Sequence, residues 1–476
     1  MSPFRPVFPR MSVTRLLLAG VLLSMPGLAV ASDARLDLTA HWAGFAAIAI
    51  FVGAYLLVVA EEFTHLRKSQ PVMLAAGLIW ALLAVASAQQ GQPDLAHRAV
   101  REYLVEFAEL LLFLLAAMTY VNAMSERNLF EALRVRLLRR GLGYRALFWV
   151  TGGLAFLISP LIDNLTTALV MCAVVLAVGR DSPKYVALSC INIVVAANAG
   201  GAFSPFGDIT TLMVWQRGLV EFWAFFALFL PSLTNWMVPA ICMHFAVPDG
   251  APDAAVDDVQ PKRGAATIVA LFAVTIVLAV SFHQFLHLPP FMGMMVGLAL
   301  LKLFGWWLSR TARKQEAADF DRQGAPGDVD AFDTYEQVAR AEWDTLLFFF
   351  GVIMCVGALG YCGYLALGSQ LFYGELGATK ANILVGLISS VLDNIPMMVA
   401  VLQMDPDMST GQWLLVTLTA GVGGSLLSVG SAAGVALMGQ ARGQYTFFGH
   451  LKWTWAVALG YAASIAVHFA VNARYF

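Results

Sequence analysis

The stretch FLISPLIDNLTTALVMC, Phe156 to Cys172, carries Asp163 and Asn164 inside an apolar run, and LISSVLDNIPMMVAV, Leu387 to Val401, repeats the phrase around Asp393 and Asn394. The two acids are 230 residues apart (393 − 163). A carboxylate in such surroundings needs a reason, because a charge at the centre of a membrane helix costs at least about 2.5–3.5 kcal/mol. The run from Ala146 to Val178 has 33 residues. One straight helix of that length would be about 50 Å long, against a hydrocarbon core of about 30 Å. Arg140 and Arg145 precede it, and Arg180 and Lys184 follow it, so both ends carry the charge of the same membrane side. A re-entrant hairpin over about 146–178 satisfies both facts and puts Asp163 and Asn164 at its tip.

Composition agrees. Of 476 residues, 59% are hydrophobic and only 13% are charged; an ordinary soluble domain carries about 25% charged residues. Apolar runs near the ~20 residues that cross a bilayer recur along the chain. They do not alternate apolar with polar, which disfavours a membrane barrel. The reading is an all-α polytopic membrane protein. The net charge of -2 gives no basic footprint for nucleic acid. The five cysteines, Cys172, Cys190, Cys242, Cys355 and Cys362, lie apart in apolar surroundings and read as packing residues.

Residues 1–31 have a basic start, a short apolar core and the small-residue sequence Ala29-Val30-Ala31, which reads as a cleavable signal peptide. The alternative is a first transmembrane helix that stays; if the segment is cleaved, the mature N-terminus is periplasmic and the host is bacterial. Residues 32–103 hold the N-terminal transmembrane helices. The segment after the third span carries Arg127, Arg134, Arg136, Arg139, Arg140 and Arg145 and so is cytoplasmic. Residues 104–247 form a first repeat, with the hairpin and a broken helix over about 184–216. Residues 248–342 supply a linker, two transmembrane helices and a cytoplasmic loop. Residues 343–476 form a second repeat, with a hairpin over about 380–404 and a broken helix over about 411–441.

Three matches in the same order carry the repeat. Besides the Asp-Asn phrases, FAELLLFLLAAM (107–118) resembles EWDTLLFFFGVIM (342–354), and NAGGAFSPFGDITTLMVW (198–215) resembles GVGGSLLSVGSAAGVALMG (421–439). Gly200 and Gly201 pair with Gly423 and Gly424, and Gly207 with Gly430, all 223 apart (423 − 200). The first copy's leading span enters from outside and the second copy's from inside, so the repeats are inverted, the plan of secondary transporters with midplane sites. The glycines and Pro205 mark unwound breaks, whose free carbonyls suit a hard cation. Asp163, Asp393 and Asp208 each stand where a helix would begin, and an N-cap alone would explain an aspartate. Asp208 differs, because its repeat partner is Ser431 and serine caps as well. Glu109 lies inside the third span, with Asp344 near its repeat position. Glu61, Glu62, Glu221 and Glu342 sit at span ends and read as interfacial. Asn198 stands two residues before the first glycine and reads as a ligand or a clamp on the break. His283 and His287 have helical i,i+4 spacing, but no third ligand is evident and they read as interfacial. No nucleophile–base pair or nucleotide loop points to an enzyme.

The phrases SPLIDNLTTALVM, NAGGAFSPFGDITT, EWDTLLFFFGV, SSVLDNIPM and SVGSAAGVALMG closely resemble the NhaD-type Na⁺/H⁺ antiporters, within the superfamily that includes dicarboxylate and citrate transporters. The resemblance runs from about Phe51 to the C-terminus. It implies Na⁺ and Li⁺ extrusion coupled to H⁺ entry, a bacterial inner membrane, and a homodimer of scaffold and transport domains. It also implies that the family's polar membrane residues carry over onto Glu109, Asp163, Asn164, Asn198, Asp208, Thr210, Thr211, Ser389, Asp393, Asn394, Ser428 and Ser431. On that reading Na⁺ is held at Asp163, Asp208 and Asn394, and no cofactor is needed. The alternative on the same fold is a Na⁺-coupled carboxylate or oxyanion transporter. Against it, dicarboxylate relatives carry Ser-Asn-Thr at the hairpin tips where this chain has Asp-Asn. Each like-charge pair at 4 Å and an effective dielectric of 20 costs about 4 kcal/mol. The acids suit Na⁺ and H⁺ competing for the same carboxylates as access alternates.

Overall fold

The computed structural model describes residues 37–64, 66–179, 182–250, 259–323 and 332–476. The signal-peptide reading lies outside these. Among the described residues there is no strand, and eight helices are long and apolar enough to cross a membrane. The protein is an all-α polytopic membrane protein.

Numbering the longer helices in chain order, α1 is Trp42–Val59, α2 Ser69–Gln89, α3 Pro93–Glu126, α4 Leu129–Leu138, α5 Tyr144–Ile158, α6 Asn164–Val178, α7 Pro183–Gly201 and α8 Ile209–Gln216. Then follow α9 Phe229–His244, α10 Ala265–Leu286, α11 Pro290–Gln323, α12 Trp343–Tyr361, α13 Ala378–Ser389, α14 Asn394–Met404, α15 Thr410–Gly423, α16 Ala432–Gln440 and α17 Thr454–Val471. Local chemistry sets the starts. Pro93 and Pro183 occupy the first turns of α3 and α7, where a missing N–H costs nothing. Asp163 caps α6 by accepting from Thr166 N at 2.8 Å, and Asp208 caps α8 by accepting from Thr210 N at 3.0 Å. Ser431 caps α16 by accepting from Gly434 N at 3.2 Å. Asp393 stands at the same place before α14 without a side-chain cap bond.

Helix α3 differs from the sequence expectation of a span over about 104–124. It begins at Pro93 and has 34 residues, because the polar segment Asp94–Arg101 continues the helical turn beyond the apolar part. The best-buried span is α12, with 67% of its apolar window inside the protein, whereas only 28% of α1 is. So α12 is central and α1 peripheral.

Four short helices, α5, α6, α13 and α14, have 15, 15, 12 and 11 residues. At 1.5 Å per residue none exceeds about 23 Å, less than a bilayer core. Three contacts recur at the sequence offsets. Ser159 Oγ lies 2.7 Å from Ala197 O, and Ser389 Oγ lies 2.9 Å from Ala420 O. A Cβ on Gly200 would fall 2.3 Å from Phe156 O, and one on Gly423 would fall 2.1 Å from Gly386 O. Likewise Gly207 abuts Pro160 and Gly430 abuts Ser390. In each pair the first partners are 230 apart (389 − 159, 386 − 156, 390 − 160) and the second 223 (420 − 197, 423 − 200, 430 − 207). Glycines at matching offsets therefore press against backbone at matching offsets, and that approach brings the site together.

Candidate functional site

The turn Ser159–Asp163 joins α5 to α6, residues 202–208 join α7 to α8, and the corresponding connections of the second copy are 390–393 and 424–431. Side chains tie the first two connections together. Ser204 Oγ donates to Pro160 O at 2.9 Å. Thr211 Oγ1, one turn into α8, lies 2.8 Å from Ser204 O and 2.6 Å from Asp208 O. The loop is thus pinned at both ends, which fixes Asp208.

The Asp208 carboxylate, 6% exposed, is the meeting point of the two Asp-Asn turns. Asn164 Nδ2 donates to its Oδ2 at 2.8 Å, and Asn394 Nδ2 donates to the same oxygen at 3.1 Å. With Thr210 N on Oδ1, three donors from three elements converge on one acid. Asn164 is held in turn by Ser159, whose Oγ lies 2.6 Å from its Oδ1. The sequence reading missed Ser159, although subtracting the 230-residue offset from Ser389 leads to it.

Asp208 lines a cavity whose lining also includes Asp163, Asn164, Asn198, Asp393, Asn394 and Ser431, with Phe113 of α3 and Phe348 of α12. Four buried oxygens of the predicted set, Asn198 Oδ1, Thr210 Oγ1, Asp393 Oδ1 and Ser428 Oγ, have no hydrogen-bond partner; of these residues, Asn198 and Asp393 line the cavity. Such groups cost about 1–3 kcal/mol if left unmet. A chamber with carboxylates and the spare amide oxygen of Asn198 offers ligands to a hard cation. Thr210 and Thr211 are fully buried beside Asp208. Ser389 is fully buried against Ala420 O rather than in the cavity lining.

The structure departs from the sequence reading at two places. Glu342, read as interfacial, lines the chamber with Asp344, Thr345 and Lys68. Asp344 accepts from Ser69 Oγ at 2.5 Å, which brings the start of α2 to the same mouth. Glu109 instead lines separate cavities, one with Glu102, Glu106, Gln216, Arg217, Gln403 and Asp405, the other with Glu221, His283 and His287. Helices α3, α8 and α14 each contribute one stretch to the chamber and another to the first of these cavities, so the two cavities are displaced from each other along those helices. His283 packs edge-on to Trp215.

Burial and the Asp163 charge push the Glu342 carboxyl up to about 7. A raised acid is neutral below that value and charged above it, so the mouth gains a negative charge as pH rises through 7. Glu342→Gln keeps that position neutral throughout. Apparent KM for Na⁺ in this variant is expected to rise several-fold about one unit above that pH and to match the unaltered protein about one unit below it, a difference near 1 kcal/mol for a partly solvated charge. An equal change at both pH values would show that Glu342 does not act through its charge.

Sequence comparison adds an independent finding. A family model described as "CitMHS: Citrate transporter" matches residues 10–421. The chain is 57% identical over 465 residues to the "Na(+)/H(+) antiporter NhaD" of Alkalimonas amylolytica, covering 96% of each chain. It is 56% identical over 470 residues to the protein of that name from Vibrio cholerae, covering 97% of this chain and 98% of the relative. "Sodium/proton antiporter 1" of Arabidopsis thaliana is 30% identical over 447 residues, 90% of this chain and 73% of the relative. The doubled Asp-Asn turns, the paired glycine breaks and full-length identity of this order leave one assignment: the chain belongs to the NhaD-type Na⁺/H⁺ antiporter family.

Proposed function

We propose that this protein exchanges cytoplasmic Na⁺ or Li⁺ for external H⁺ across a bacterial inner membrane, with the two ions competing for the chamber carboxylates. The observation that carries this reading is Asp208, held between Asn164 and Asn394 in a cavity that also includes Asp163 and Asp393. The one basic side chain among the described lining residues is Lys68. Sodium binds ionised carboxylates, and protons displace it. The names of the relatives point the same way.

In this reading α5–α6 and α13–α14 are re-entrant hairpins entering from opposite sides, and α7–α8 and α15–α16 are broken helices of inverted repeats. Lys68, Glu342 and Asp344 stand at the cytoplasmic mouth, and Glu102, Glu106 and Glu109 at the periplasmic one. The mature N-terminus is periplasmic. The hairpins and broken helices move as one unit against a homodimeric scaffold, exposing Asp163, Asp208 and Asn394 to each side in turn.

The description of the matching family model favours a second reading, a carboxylate transporter. The acids oppose it, since a dianion in this chamber would meet several like charges at about 4 kcal/mol per close pair. Everted vesicles separate the two. Added Na⁺ or Li⁺ is expected to dequench a pH-sensitive dye at alkaline pH. Uptake of citrate or succinate without cation-dependent proton movement would give the site to carboxylates.

A further inference from the structure

The short helix Phe447–Leu451, between α16 and α17, buries His450 completely. The imidazole touches two groups. Its Nε2 lies 2.9 Å from the backbone oxygen of Ser425, and its Nδ1 lies 2.8 Å from the hydroxyl of Tyr445. A carbonyl only accepts, so Nε2 carries the hydrogen; a neutral ring has one N–H, so Nδ1 accepts from Tyr445. Burial pushes the ring down to about 4, which keeps it neutral at any physiological pH. The tautomer is therefore fixed by its neighbours.

Ser425 stands in the break between α15 and α16, and its fully buried hydroxyl accepts from Asn198 Nδ2 at 2.8 Å. Asn198 belongs to the other copy, at the end of α7, and lines the chamber. With Nδ2 committed to Ser425, the unpartnered atom of that buried amide is Oδ1, an oxygen suited to a cation. Thr454 Oγ1 donates to Leu426 O at 2.9 Å and ties the same loop a second time. The arrangement exists in one copy only. The position 223 residues before Ser425 (425 − 202) is Ala202, which has no hydroxyl to offer.

We propose that His450 is a positioning residue for the cation site: it holds Ser425, and Ser425 orients the Asn198 amide so that its oxygen serves the transported ion. The proposal rests on the exchange function given above. It differs from a purely structural role in what it moves. A misplaced amide weakens cation binding while leaving the moving parts intact, so apparent KM changes more than the maximal rate.

The test uses full-length protein in everted vesicles, with Na⁺ as the probe. His450→Leu removes the donor and is expected to raise apparent KM for Na⁺ about tenfold, the effect of one lost buried hydrogen bond. His450→Gln keeps an N–H near the Nε2 position and is expected to stay within about threefold of the unaltered protein. Ser425→Ala, which removes the partner of Asn198, should match His450→Leu, and the double variant should be no worse than either, because both act on one amide. An unchanged KM in His450→Leu or in Ser425→Ala overturns the proposal, as does a His450→Gln variant as impaired as His450→Leu. If His450→Leu fails to insert, Ser425→Ala decides alone. Absence of exchange in the unaltered protein removes the functional reading itself, and this proposal with it.

Discussion

Replacing Asp208 with serine or asparagine is expected to abolish cation-dependent proton exchange, by at least about a hundredfold, at normal levels of inserted protein. The capping role alone does not predict this. Ser431 caps the corresponding helix of the second copy, so Asp208→Ser copies an arrangement the fold already uses. The loss would come from the carboxylate. A charge-assisted contact contributes about 1.5–3 kcal/mol, up to about a hundredfold in affinity, and a neutral residue also loses the titration that couples Na⁺ to H⁺. Asp208→Asn adds a geometric conflict. If its oxygen stays on Thr210 N, its amino group faces the amino groups of Asn164 and Asn394, which now lie 2.8 and 3.1 Å from the carboxylate. If the amide turns over, the cap is lost. Asp208→Glu keeps the charge on a longer arm, so weak exchange with altered apparent affinity is expected. The deciding measurement is dye dequenching by Asp208→Ser at matched expression. Near-normal exchange would make the acid structural and move the coupling role to Asp163, Asp393 or Glu109.

Gly423→Ala is expected to remove most folded protein, for a reason unrelated to ions. The added Cβ would lie 2.1 Å from Gly386 O and 2.8 Å from Gly386 C. Both are backbone atoms of α13, so no rotamer change can make room. The helices α13 and α15 would have to separate by more than 1 Å, which would stretch the bond from Ser389 to Ala420 and displace Asn394. Overpacking of this kind costs about 1–3 kcal/mol even where side chains can adjust. Thermal unfolding in detergent, followed by size exclusion, should show a loss of several degrees or no monodisperse protein. Gly439→Ala is the control, since nothing lies within 4 Å of its added Cβ, and it should melt normally. A Gly423→Ala protein that melts within a degree of the unaltered chain would mean that the close approach is dispensable.

The sequence by itself determined the fold class and the starts of the helices that follow Asp163, Asp208, Asp393 and Ser431, though not the start of α3. These depend on local chemistry. A helix needs an apolar stretch of a given length, a cap and a stop, all within some twenty residues. Asp163, Asp208, Asp393 and Ser431 each stand directly before a helix for that reason. The doubled phrases even carried the contact pattern, because Ser159 and Ser389 keep the same partners at the same offsets.

The tertiary structure alone decided which acids share a chamber. A charged residue at a span end has the same sequence signature whether it faces headgroups or a cavity, because the rotation of a helix about its axis is set by its packing. That is why Glu342 and Asp344 face Asp163 and Asp393 while Glu109, deeper in its span, faces other cavities. The convergence of Asn164 and Asn394 on Asp208 spans 44 and 186 residues, and the clamp from His450 through Ser425 reaches Asn198 across 25 and 227. No local pattern encodes such distances. They follow from glycine backbones pressed against neighbouring helices, which bring together polar groups that a hydropathy profile shows only as separate interruptions.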